Sequence, residues 1–200
     1  MAFAVDRAGG CVKLKSLMKL FVPLALVGAT VFLSGCAGTN PPGFVRYITM
    51  TEMNRQSLAD QDLGETRFYR ARMNGTSFKG TNLKGTTFAQ TDLAQADFRG
   101  AIMDDTTTFT QVNMNRANLA GLDLQGADFD SVNLRAADLR HTKNWHNLNR
   151  SNFTEADVRG ADFSAVKVTP AGTVWKDAIY DGKTIFPAGV DPVTAGAIKR

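Results

Sequence analysis

Every fifth residue from Leu58 to Val168 is apolar, apart from two slips of phase. The first run is Leu58, Leu63, Phe68, Met73, Phe78, Leu83, Phe88, Leu93, Phe98 and Met103. It resumes at Phe109, Met114, Leu119, Leu124, Phe129, Leu134 and Leu139, and again at Leu148, Phe153, Val158, Phe163 and Val168. A small residue sits two before most of these centres, and Asp or Asn sits one before, as in Ala96-Asp97-Phe98 and Ala161-Asp162-Phe163. A period of five matches neither the helix (3.6) nor the strand (2.0). No single five-residue unit can bury its own apolar group, so stability must come from units stacked on their neighbours.

This pattern resembles the pentapeptide-repeat family from about Gln56 to Pro170. The resemblance implies an all-β, right-handed, four-sided β-helix, four pentapeptides to a coil. The centre and the small residue would point inward and the other three positions outward. Asp or Asn before each centre suits the turns, where a short polar side chain bonds nearby backbone. One slip adds a residue in Asp104–Thr108, and the other removes one in His141–Asn147. Corrected for both, the spacing predicts one interior column of Phe68, Phe88, Phe109 and Phe129, then Leu148. The small positions beside it are Thr66, Thr86, Thr107, Ala127 and His146. Five to six coils are expected, a rod of about 25–30 Å at the usual strand spacing.

The N-terminus reads as an address. Lys13, Lys15 and Lys19 precede a 14-residue apolar run, Leu20 to Leu33. That is the layout of a secretory signal peptide, and the run is short for a bilayer span of about 20 residues. Leu33-Ser34-Gly35-Cys36 resembles the bacterial lipoprotein processing box, which implies lipid on Cys36 as the first mature residue. Met18-Lys19-Leu20 would also make an ordinary lipoprotein start, leaving 1–17 as an over-extended one. Ala37, where Asp would favour the inner membrane, points to the outer membrane facing the periplasm. The expected organisation is 1–35 signal peptide, 36–57 tether and N-terminal cap, 58–170 repeat, and 171–200 C-terminal cap and tail. Tyr47–Ser57 would form the first cap, a short helix being one form of it, and Gly189–Arg200 would be a loosely held tail.

The formal charge of +4 falls to +1 from Cys36 onward, because Arg7, Lys13, Lys15 and Lys19 leave with only Asp6. A near-neutral chain makes no electrostatic case for nucleic acid. Asp92, Asp97, Asp123, Asp128, Asp138, Asp157 and Asp162 all sit one before a centre and are assigned to turns. Arg99, Arg116, Arg135, Arg140, Arg150 and Arg159 follow centres on the outside, in reach of neighbouring Asp. No metal, cofactor or catalytic residue is expected: the repeat has no cysteine, and His141 and His146 alone are a poor metal set.

The second slip is the feature the repeat does not absorb. It carries His141, Lys143, Trp145 and His146. Either Trp145 fills the interior of a distorted coil, or it projects as an interface contact flanked by Lys143 and Arg140. The sequence therefore reads as a non-catalytic, lipid-anchored solenoid, attached to the membrane through Cys36 and offering a surface to a protein or envelope partner. The alternative implied by the family is a DNA mimic that protects gyrase, which calls for an acidic, cytoplasmic chain. An envelope enzyme or metal site at His141/His146 is the third reading.

Overall fold

The computed structural model describes residues 4–5, 11–12, 31–32, 46–166 and 172–200. Cys36, nearly all of the signal segment and tether, and Val168–Pro170 lie outside them. Two short pairings precede the solenoid: β1 (Ala4–Val5) with β2 (Cys11–Val12), and β3 (Val31–Phe32) with β4 (Arg46–Thr49), both antiparallel.

From Arg46 onward the chain winds as a parallel β-helix. β4, β5 (Thr66–Tyr69), β6 (Thr87–Ala89), β7 (Thr108–Thr110) and β8 (Asp128–Asp130) stack in parallel on one side. Isolated parallel bridges build further sides; one runs Glu52, Arg72, Asp92, Asn113, Asn133, Asn152, Val174. Seven coils are joined this way, one or two more than expected, about 35 Å of rod.

The five-residue period follows from the corner. The second residue after nearly every centre has a left-handed backbone, as at Gln95 (φ 59°) and Gly100 (φ 71°). This turns the chain, so the next extended stretch starts a new side. Centres and small positions are buried throughout the middle coils, while the residue between them is half-buried. Phe68, Phe88, Phe109 and Phe129 stack at centroid spacings of 4.9, 5.1 and 4.7 Å. Phe78 and Phe98 stack at 4.8 Å on the neighbouring side, and Phe78 meets Phe88 edge-on at 5.7 Å. Stacked and edge-on rings are the arrangements that the aromatic quadrupole favours.

The small position does more than save space. Thr76, Thr81, Thr86 and Thr107 donate their hydroxyls to the carbonyls of Met53, Leu58, Leu63 and Leu83 in the preceding coil. Threonine there adds a second donor to a corner carbonyl that already accepts the amide three residues on, as Met53 does from Gln56 and Leu63 from Thr66.

Both expected caps require correction. Residues 46–57 form no helix; Arg46–Thr49 pairs with β5, and Glu52 and Ser57 bridge to Arg72 and Ser77. This is a first coil, built because Ile48 and Met53 continue the apolar columns one period earlier. The tail is also wound in. β10 (Ile198–Lys199) pairs in parallel with β9 (Ile179–Tyr180), and the Arg200 amide donates to the Tyr180 carbonyl. Trp175 stacks on Phe153 at 4.2 Å, so the segment after 171 extends the core.

Candidate interaction surfaces at the register slips

The first slip is an insertion held by hydrogen bonds. Bridges step by 20 residues up to Asn82–Ile102 and by 21 at Asp92–Asn113. The extra residue lies in Asp104-Asp105-Thr106-Thr107. The Asp104 amide donates to Thr107 Oγ1 at 3.1 Å, and its carboxylate accepts the amides of Thr106 (3.1 Å) and Gly85 (3.2 Å). Burial alone would raise the Asp104 pKa, but the Thr106 hydroxyl and these amides outweigh it and hold the carboxyl below its ordinary value. Asp181-Gly182-Lys183-Thr184 repeats the device. The Asp181 amide donates to Thr184 Oγ1 at 3.1 Å, and the carboxylate accepts the Gly160 amide at 3.0 Å. An Asp-x-x-Thr-x-Phe stretch thus lengthens a coil by one residue twice, ending at Phe109 and at Phe186.

The insertion opens the wall beside it. Among the described residues, no bridge joins Ile102 to Asp123, where the column would place one. A cleft of about 390 Å³ lies there, lined by Lys84, Ile102, Met103, Asp104, Leu122 and Asp123 among others. Ile102 is half exposed at its rim. Asp123 is held from the next coil by the Asn144 side-chain amide (2.7 Å) and by Lys143 Nζ (3.2 Å).

The second slip removes a residue, and Trp145 makes this possible. Asn144 falls where a centre is due, but its backbone is left-handed (φ 59°) and its side chain points outward to Asp123. Trp145 turns inward instead, fully buried, with its indole N–H donating to Thr142 Oγ1 at 3.1 Å. Its ring lies 4.9 Å from Phe129, 5.1 Å from Phe163 and 5.9 Å from Phe153. One indole stands in for a centre and the small residue after it, and the coil closes in 19 residues. Trp145 is therefore not an exposed contact. His146, placed by the spacing at an inward small position, is exposed because Trp145 already occupies that space.

The other residues singled out at this slip do not converge. His141 stands at a left-handed corner (φ 59°) against Gly160, where an added Cβ would lie 2.5 Å from His141 Nδ1. His146 acts electrostatically on Asp128 in the coil before. Lys143 faces the cleft through Asp123. No group of three His, Cys, Asp or Glu able to hold a metal occurs among the described residues.

The acidic row belongs to the wall. Oδ1 of Asp92, Asp97, Asp123, Asp138, Asp157 and Asp162 each accepts the amide two residues on. Arg99, Arg140 and Arg159 each add a side-chain pair to the Asp two before. The Arg140 hydrogen bonds push the Asp138 pKa down against partial burial. Asp128 departs from the set. It lies within β8, makes no such turn, and its buried Oδ1 has no partner. Burial drives its pKa up, and the Asn147 side-chain bond and His146 only partly offset this.

Comparison with known proteins gives a consistent picture. Two models described as pentapeptide repeats match residues 68–113 and residues 107–143 and 146–169, together half of the chain. No curated protein matches. Among solved structures, the pentapeptide repeat protein Rfr23 from the cyanobacterium Cyanothece 51142 is 17% identical, over 65% of this chain and 91% of that one, with TM-score 0.45. A trypsin-treated form of QnrB1, a plasmid-mediated fluoroquinolone resistance protein, is 17% identical over 78% and 83%, with TM-score 0.48. A pentapeptide repeat protein from the Arabidopsis thaliana thylakoid lumen is 23% identical over 60% and 69%, with TM-score 0.33.

Proposed function

The chain belongs to the pentapeptide-repeat proteins, and we propose that it serves as a non-catalytic interaction module. In this reading, lipid on Cys36 holds it at the periplasmic side of a bacterial outer membrane. The observation that carries the anchoring is Leu33-Ser34-Gly35-Cys36 placed directly after a basic segment and a 14-residue apolar run. Two acyl signals are needed for stable attachment, since one chain binds only marginally. The use of Asp92, Asp97, Asp123, Asp138, Asp157 and Asp162 in turns supports the non-catalytic part. A general acid or base must be free to meet a substrate proton, and these carboxylates already accept backbone amides. Parallel stacking along the whole rod suits a rigid scaffold whose outer sides meet a protein or envelope partner.

Feeding cells labelled palmitate and fractionating them tests the anchor. Wild type should carry label in the membrane fraction, and Cys36→Ser should carry none. An unlabelled wild type in the cytoplasm would end this reading and restore the gyrase-protecting alternative. Zinc or nickel titration should leave thermal stability unchanged; stabilisation that depends on His141 and His146 would restore a metal site.

A further inference from the structure

We infer that the first two coils carry a docking surface for an anionic phospholipid bilayer; the inference rests on the lipid-anchor reading above. The surface is the outer side of β4 and β5. Tyr47 lies opposite Arg67 and Thr49 opposite Tyr69 in the parallel register. Tyr47 and Tyr69 are 48% and 39% exposed, and Met50 at the corner is 70% exposed. Arg67 stands 5.6 Å from the Tyr47 ring and donates to its hydroxyl at 3.2 Å, while Arg70 stands 5.1 Å from the Tyr69 ring. Neither arginine has a carboxylate partner among the described residues, unlike Arg72, Arg99, Arg135, Arg140, Arg150 and Arg159.

The chemistry of the same side changes along the rod. The next two strands show Thr87, Ala89 and Gln90, then Thr108, Thr110 and Gln111. Acid first appears on this sheet at Asp128 and Asp130. That is three strand spacings from β5, about 15 Å, beyond the Debye length of ~8 Å at physiological salt. Glu52 is engaged by Arg72, and the nearest exposed acid is Glu65, directly before β5 and two residues from Arg67. Phosphate headgroups approaching the outer side of β4 and β5 therefore meet two guanidinium groups with no carboxylate partner, Arg67 on the Tyr47 hydroxyl and Arg70 on the Gln90 side chain. Tyrosine suits the same depth, with an apolar ring and a polar tip at the headgroup level, and Met50 can enter the acyl boundary.

Position along the chain selects the occupant. Cys36 lies ten residues before Arg46, a reach of at most about 35 Å. A lipid there holds the first coils near the bilayer. Contact through β4 and β5 would set this side of the first coils against the headgroups.

The test is sedimentation of sucrose-loaded vesicles with the chain beginning at Ala37, which keeps the whole core from Ile48 onward. At low salt it should bind vesicles rich in phosphatidylglycerol and not those of phosphatidylcholine alone. R67Q/R70Q should lower partitioning roughly tenfold or more, since each basic residue near an anionic surface contributes about fivefold. Y47S/Y69S should also lower it, whereas R116Q/K176Q, with the same charge change elsewhere, should stay within about twofold of wild type. Circular dichroism melts confirm that each variant is folded. Absence of wild-type binding, or an equal loss in R116Q/K176Q, overturns the proposal. Missing palmitate on Cys36 in cells would sink the anchor reading by itself, so the two failures are separable.

Discussion

The coil that gains a residue at Asp104–Thr107 and the coil that loses one at His141–Asn147 solve opposite problems with opposite chemistry. An added residue brings backbone groups that the ladder cannot pair. Asp104 takes up the Thr106 and Gly85 amides, and Thr107 receives the Asp104 amide while reaching the Leu83 carbonyl. A removed residue instead takes away volume, and a tightly packed interior does not tolerate the gap. Trp145 fills it from a position that ought to face outward. In this chain the insertion is accommodated by hydrogen bonding and the deletion by packing. The insertion also leaves the Ile102–Asp123 pairing unmade and a cleft in the wall, whereas bridges flank the deletion on both sides, at Asp123–Lys143 and Asp128–Asn147.

The sharpest way to break this contrast is Trp145→Ala. It should destabilise by about 3–5 kcal/mol, as expected for emptying a large aromatic site in a core. Urea unfolding measures it; a loss below about 1 kcal/mol would mean that the coil closes without the indole. Asp104→Ala should cost less, about 1–3 kcal/mol, because it strands backbone amides near solvent. Asp181→Ala, in the second copy of the device, should loosen the C-terminal coils, read as faster amide exchange at Gly160 and Thr184. No change at either site would deny the shared motif its role.

Acid should act on the two slips unequally. Asp104 and Asp123 have folded-state pKa values below their ordinary ones, as does Asp138. Their contribution is complete above the unfolded carboxylate pKa of about 4 and is lost as pH falls through the lowered values. Denaturant midpoints should therefore drop below about pH 4, and less steeply in Asp104→Ala. The smallest effect has the opposite sign. Asp128 is raised by burial, so the folded state favours its protonated form and loses stability as pH rises through the raised value. Asp128→Asn should raise the thermal midpoint slightly at neutral pH and leave it unchanged at about pH 3. A fall at neutral pH would show that the Asn147 and His146 contacts outweigh burial.

The middle of the rod was legible because its information is local and repeated. A centre every fifth residue, counted four to a coil as the family resemblance implies, aligns Phe88 with Phe109 across the insertion. The ends were less legible. Around Ile48 the small position is interrupted, and after Gly172 the bridge spacing rises to 22 and 23 before returning to 19 between Ile179 and Ile198. A period with so few copies is hard to see. A sequence signal for the C-terminal insertion did exist: Asp181-Gly182-Lys183-Thr184-Ile185-Phe186 matches Asp104-Asp105-Thr106-Thr107-Thr108-Phe109 at the two bonding positions and the centre. At the small position the spacing shows only size, whereas the threonine hydroxyl also bonds a corner carbonyl of the preceding coil. The acid-free arginines of β5 stand out only once coils are stacked, since Arg67 and Tyr47 are twenty residues apart.

By itself, then, the sequence determined the five-residue repeat and the positions of both slips, and its resemblance to the pentapeptide-repeat family supplied the coil of four units that aligns the interior phenylalanine column. Tertiary structure decided how each slip is accommodated. Whether residue 144, 145 or 146 turns inward depends on the space left between Phe129, Phe153 and Phe163, which belong to other coils. Volume of that kind is a property of the stack and is written in no single repeat.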